Sequence, residues 1–222
     1  MTTPVHQITR RETRGRPRIR QDEEILEAAL ESFAAQGYDA MSLRSLNAHL
    51  GLSHGTISQR FGTKERLYFA AVDLGFASFL ADLAERRREA LAEIDPGDDV
   101  ADLRVTIRAY LGAALIRPEL GRLMNQEGLY RTARLDYIVD HVMEQLLGSV
   151  GGYLERLQQS GRIRPVTARA LFFLIAHGAE APYTLTALSE AFDTLDGPLD
   201  PERHADDMTD LIVRGMLLDA DG

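Results

Sequence analysis

Gly51-Leu52-Ser53-His54-Gly55 spells G-x-S-x-G, the spacing that lifts a nucleophilic serine onto a sharp turn in α/β-hydrolases. That chemistry needs a strand before the turn and a sheet beneath it. The residues ahead of Gly51 have a helical period instead, with Leu43, Leu46 and Leu50 at i, i+3 and i+7. The hydrolase reading fails on that context, and no catalytic role is expected. Asp136, Asp140, His141 and Glu144 could be drawn as metal ligands, but spaced i, i+4, i+5 and i+8 they read as one solvated acidic face. No metal and no cofactor is expected. What remains is a polar run, His54, Gly55, Thr56, Ser58, Gln59 and Arg60, around the apolar pair Ile57 and Phe61. Short polar side chains on one face of a short helix suit a DNA major groove, about 12 Å wide, which admits one helix and offers it base edges.

The flanking residues predict the elements that would present that face. Ser42 is the expected N-cap of a helix reaching His49, Gly51 ends it, and Ser53 is the expected N-cap of the next, which makes a helix-turn-helix. Ahead of it, Asp22, Glu23 and Glu24 start a helix with the stripe Ile25, Leu26, Ala29, Leu30 and Phe33, stopped by Gly37. Behind it, Thr63 caps a long helix from Lys64, apolar on two faces: Leu67, Ala70, Leu74 and Ala77, and Val72, Phe76, Phe79 and Leu83. Such a helix should be sandwiched and should connect the head to the rest. Every later segment reads helical, with Pro182 expected to kink the apolar stretch 168–192 near Gly178. The fold class is all-α, with about nine helices: a basic arm at 1–20, a three-helix head at 21–66 and a helical body at 67–222.

Charge is divided along the chain. Residues 1–68 hold ten Lys or Arg against eight Asp or Glu, while 69–222 hold fifteen against twenty-six, so an acidic body confines DNA contact to one end. Arg14-Gly15-Arg16-Pro17-Arg18 is either a minor-groove hook that lays arginines along an A·T-rich groove or a solvated basic tail. There is no cysteine for a disulfide or thiolate site. The apolar run Leu171–Ala176 falls far short of the ~20 residues of a membrane span, so no membrane partner and a cytoplasmic location are expected.

Ser42, Leu46, Gly51, Gly55-Thr56, Phe61 and Lys64 together make the stretch from Asp22 to about Asp73 resemble the TetR family of bacterial transcriptional regulators. Ser58 stands where that family usually has tyrosine, and Asn47 and Leu50 where it usually has alanine. The resemblance implies a homodimeric repressor of a palindromic double-stranded operator, released by a small-molecule effector. Ser42, Ser53, Gly55, Thr56 and Lys64 would meet phosphates. His54, Ser58, Gln59 and Arg60 would meet base edges, with Arg44 and the arm's Arg14, Arg16 and Arg18 beside them. A mostly apolar effector would lie among Phe76, Phe79, Tyr110, Met124, Glu127, Tyr137, Met143, Phe172 and His177. Dimerisation would use the last two long helices, with Met208, Leu211, Ile212 and Gly215 on the last. The rival reading is a non-enzymatic small-molecule binding module whose head no longer reads a specific operator.

Overall fold

The computed structural model describes residues 21–95 and 97–218, without the side chains of 144–150. All regular structure among these residues is helical. In chain order the helices are α1 (Asp22–Gln36), α2 (Leu43–His49), α3 (Thr56–Phe61), α4 (Lys64–Leu91), α5 (Asp99–Ile116), α6 (Pro118–Glu127), α7 (Ala133–Ile138) and α8 (Glu144–Gln159). They continue with α9 (Ala168–Phe173), α10 (Ala181–Thr184), α11 (Thr186–Glu190), α12 (Asp193–Asp196) and α13 (Pro201–Met216). Two π-helical turns, Val139–Met143 and Leu174–Ala179, join α7 to α8 and α9 to α10.

The termini are set by local chemistry. Ser42, Thr63, Thr132 and Thr167 each accept an amide of their helix's first turn, and Asp98 and Asp200 accept two apiece. In α1, Ile25, Ala29, Leu30 and Phe33 are fully buried, and each large apolar side chain contributes roughly 1.5–3 kcal/mol. They pack on α4, whose Leu67, Tyr68, Ala71 and Val72 are equally buried. Farther along, Phe76 and Phe79 meet the body, where α4 lies against α5. The expected sandwich is therefore present, although Ala77 is exposed. By length and composition α4 could cross a membrane, but its apolar side is spent on α1 and α5, the position of a core helix.

Two expected long helices are interrupted. Glu180 N–H donates to the Ile175 carbonyl, five residues back, so the π turn 174–179 takes up the bend expected near Gly178, and Pro182 opens α10. Beyond it the chain breaks into short helices, leaving Leu185, Leu188, Phe192 and Leu195 exposed. The turn at 139–143 lies among Leu135, Ile138 and Val142, whose spacing fits an unbroken α-helix and does not announce it.

Candidate nucleic-acid interface and effector cavity

Ile57 is fully buried and Phe61 half-buried, which turns Ser58, Gln59 and Arg60 outward from α3. Ser42, Arg44, Ser53 and His54 are exposed beside them, with Gly55 and Thr56 half-buried. The structure corrects the expected cap. The residue before α3 is Gly55, at φ 84°, where only glycine is unstrained, and Ser53 instead accepts the Thr56 hydroxyl at its carbonyl, 2.8 Å away. With no side-chain cap at Gly55, the Thr56 amide donates to the Ser53 carbonyl at 3.2 Å and the Ile57 amide turns to a side chain of α2.

Asn47 explains its own departure from alanine. It is 6% exposed, donates from Nδ2 to the Leu43 carbonyl at 2.8 Å, and accepts the Ile57 amide at Oδ1 at 3.3 Å. One side chain thus ties α2 to the start of α3 and fixes the angle at which α3 is presented. Asn47→Ala is expected to cost about 1–3 kcal/mol in thermal unfolding, because it strands a buried amide.

Two expected DNA cations have contacts within the chain. Arg60 pairs with Asp22 at 3.1 Å, a surface pair worth about 0–1 kcal/mol, so a guanine or phosphate can compete for it. Lys64 Nζ donates to the Asp39 carbonyl at 3.2 Å and sits 4.5 Å over the Tyr38 ring. The Arg134 guanidinium also lies over the Tyr38 ring, 4.1 Å from its centroid, and Arg134 in turn binds Glu127 at 2.9 Å. Arg14, Arg16 and Arg18 lie outside the described residues.

Glu127 is therefore not an effector contact: it is the buried anchor for Arg134, and it also accepts the Thr132 hydroxyl at 3.3 Å. Tyr137 is a second correction. Its hydroxyl donates to Asp73 at 2.8 Å on an exposed side of α4, and its ring packs on Phe69 and His141. The other seven expected residues, Phe76, Phe79, Tyr110, Met124, Met143, Phe172 and His177, do come together around one small chamber of about 40 Å³. Leu80, Tyr110, Phe172 and Ala176 also belong to the wall of an adjoining groove of about 760 Å³, running between α4, α5, α8 and α9. Ligand sites span roughly 300–1,000 Å³, so the groove has the volume and the chamber is its inner end.

Sequence reasoning missed Glu180. It is 3% exposed, lines the chamber, and accepts the Tyr110 hydroxyl at 2.9 Å. Burial pushes its carboxyl up to about 7, against the opposing pull of that hydrogen bond. The available signal was an acid inside the apolar stretch 168–192. Gly121 makes the space, since a Cβ there would overlap Glu180 and Thr184. His177 stacks on Phe173, 4.9 Å between centroids, and partial burial lowers its pKa.

Of the expected dimer residues, Ile212 is 3% exposed inside the chain's own core and so does not face a partner. Met208 is half-buried, Leu211 is 66% exposed, and Gly215 is exposed with open space where a Cβ would sit. Among Asp136, Asp140, His141 and Glu144, Asp136 pairs with Arg131 and His141 Nδ1 meets the Tyr137 carbonyl; no metal-binding group of three occurs among the described residues.

Residues 25–71 match the profile described as bacterial regulatory proteins, tetR family. The HTH-type transcriptional repressor AcnR of Corynebacterium efficiens is 44% identical over 48 residues, 22% of this chain and 26% of that repressor. The matched stretch thus spans about a quarter of that relative's length. Among solved structures, the ketosteroid transcriptional regulator KstR2 of Mycobacterium tuberculosis superposes with a TM-score of 0.64 at 19% identity, covering 91% of this chain and 98% of that one. A bacterial regulatory protein in the tetR family from Rhodococcus RHA1 superposes with a TM-score of 0.63 at 21% identity, covering 90% of this chain and all of the other.

Proposed function

From the match of residues 25–71 to the TetR family of bacterial regulatory proteins, we propose that this chain is a TetR-type cytoplasmic repressor that holds a palindromic operator as a homodimer and releases it when an effector fills the groove. The observation that carries this reading is α4. One unbroken helix of 28 residues starts with Lys64 beside the DNA-facing surface and supplies Phe76, Phe79 and Leu80 to the effector chamber. A molecule wedged against those side chains moves the helix, and with it the head, so that the two recognition helices no longer match successive turns about 34–36 Å apart.

The magnitude is attainable. Driving an equilibrium from 1:99 to 99:1 needs about 5.5 kcal/mol of differential affinity. Burying about 220 Å² of apolar surface supplies that at ~25 cal/mol per Å². A mid-sized, mostly apolar effector fits both this requirement and the groove. Selection of binding sites from random DNA by the purified protein tests the reading, followed by a screen of apolar compounds for release of the selected site. Recovery of no palindromic site would end it. A head in which Asn47 ties α2 to the start of α3, with Ser58, Gln59 and Arg60 turned outward, favours an operator reader over a module with a degenerate head.

Lys64→Ala gives a finer measure. Each phosphate contact contributes about 0.9 to the slope of log affinity against log salt, so losing one per protomer should flatten it by about 1.8 with sequence preference unchanged. An unaltered slope would mean that Lys64 serves only Tyr38 and Asp39.

A further inference from the structure

The inner chamber is built around one acid. Glu180 is nearly enclosed, yet among the described side chains only the Tyr110 hydroxyl donates to it, so most of the four or so acceptor sites of its carboxylate are unfilled. Arg117 lines the same chamber but is held by Ser78 Oγ at 2.8 Å and by Glu27 and Glu119 at 3.6 and 3.5 Å. His177, the other basic group in the wall, has its pKa lowered by partial burial. The rest of the wall includes the rings of Phe76, Phe79, Tyr110 and Phe172, whose faces attract cations. A buried carboxylate without a neutralising partner is costly, and aromatic rings around it define what would relieve that cost.

We infer that the chamber seats the protonated amine end of the effector, against Glu180 and Tyr110, while the apolar remainder lies in the adjoining groove. This rests on the effector reading above and specifies its chemistry. A space of about 40 Å³ takes two or three water-sized groups, the size of an ammonium with its first methylene. An anionic head at the groove's arginines is the weaker fit. Arg87 is already bidentate on Asp102, at 2.7 and 3.0 Å, and Arg88 is bound to Glu85. Arg156 lies over the Tyr153 ring.

The test uses the full chain and three probes sharing one body, 4-phenylbutylamine, 4-phenylbutanol and 4-phenylbutanoate, titrated calorimetrically at pH 8. The amine should bind at least tenfold more tightly than the alcohol, with the carboxylate weakest. In Glu180→Gln the amine should fall to the level of the alcohol, while alcohol affinity stays within about twofold and so reports an intact cavity. Between pH 8 and pH 6 the amine's affinity for the parent protein should drop about tenfold as Glu180 takes up its proton. The ionisable groups around Glu180 are Tyr110 of α5, Arg117 between α5 and α6, His177, Tyr183 of α10 and, through the Ala179 carbonyl, His204 of α13. An equal drop in Glu180→Gln would assign the effect to His177 or His204 and overturn the inference. So would an amine no tighter than the alcohol, or an advantage that survives in Glu180→Gln. Binding led by the alcohol or the carboxylate would sink the amine seat and leave the effector cavity standing; no binding by any probe at millimolar concentration would remove both.

Discussion

Leu188→Glu and Leu195→Glu together are expected to yield a monomer that binds the full operator about a thousandfold more weakly than the parent. Leu188 is 60% and Leu195 76% exposed, and Phe173, Leu185, Phe192 and Leu211 are exposed as well. Scattered apolar residues on a surface need no explanation, but a run of them on short helices near the end of the chain is the composition of a covered interface. In a two-fold dimer the second half-site binds intramolecularly, an advantage of 10²–10⁴, and separating the protomers forfeits it. Light scattering reads the mass, operator titration reads the affinity, and circular dichroism checks that helicity is kept. Charged variants that stay dimeric, or monomers that hold the operator at parental strength, would place the interface elsewhere.

Much of this architecture was legible because local chemistry decides it. Ser42 and Thr63 cap the helices they were expected to cap, and the stripes of α1 and α4 are buried or half-buried except at Ala77. Ser53 misled because a serine three residues before an amide looks like a cap whether or not the backbone at the helix start is left-handed; Gly55 takes that conformation and the cap position with it. The π turns were hidden for a different reason. An extra residue in one turn rotates everything beyond it, but Ile138, Val142 and Leu146 at spacings of four fit an unbroken α-helix equally well. Pairings distant in sequence were out of reach altogether. Nothing local joins Arg60 to Asp22, or Glu180 to Tyr110 seventy residues earlier. Glu127 and Glu180 are both acids on apolar stripes, and only the fold shows that Arg134 neutralises the first while the second faces a cavity.

That difference between two buried acids makes stability depend on pH at one of them. Glu180 has a carboxyl pKa of about 7 in the folded chain against 4.5 for the ordinary group, so the folded state holds the proton more tightly than the unfolded state does. A raised acid contributes fully to stability below about pH 4.5, and that contribution is lost as pH climbs to 7 and ionisation is forced on a desolvated site. A shift of this size corresponds to about 3 kcal/mol at 1.36 kcal/mol per pH unit. Glu180→Gln keeps the shape and removes the titration, so its stability relative to the parent should rise by about 2.5 kcal/mol between pH 5 and pH 8, part of the shift having been lost already at pH 5. For a chain of this length that is a relative gain of roughly 5–10 °C in melting temperature. Melting curves of both proteins across that range read the difference directly. If the two run parallel from pH 5 to pH 8, Glu180 reaches water in solution and the chamber is not the desolvated site described above. A curve for the parent that instead rises relative to Glu180→Gln toward pH 8 would mean that the ionised carboxylate has a cationic partner within the chain.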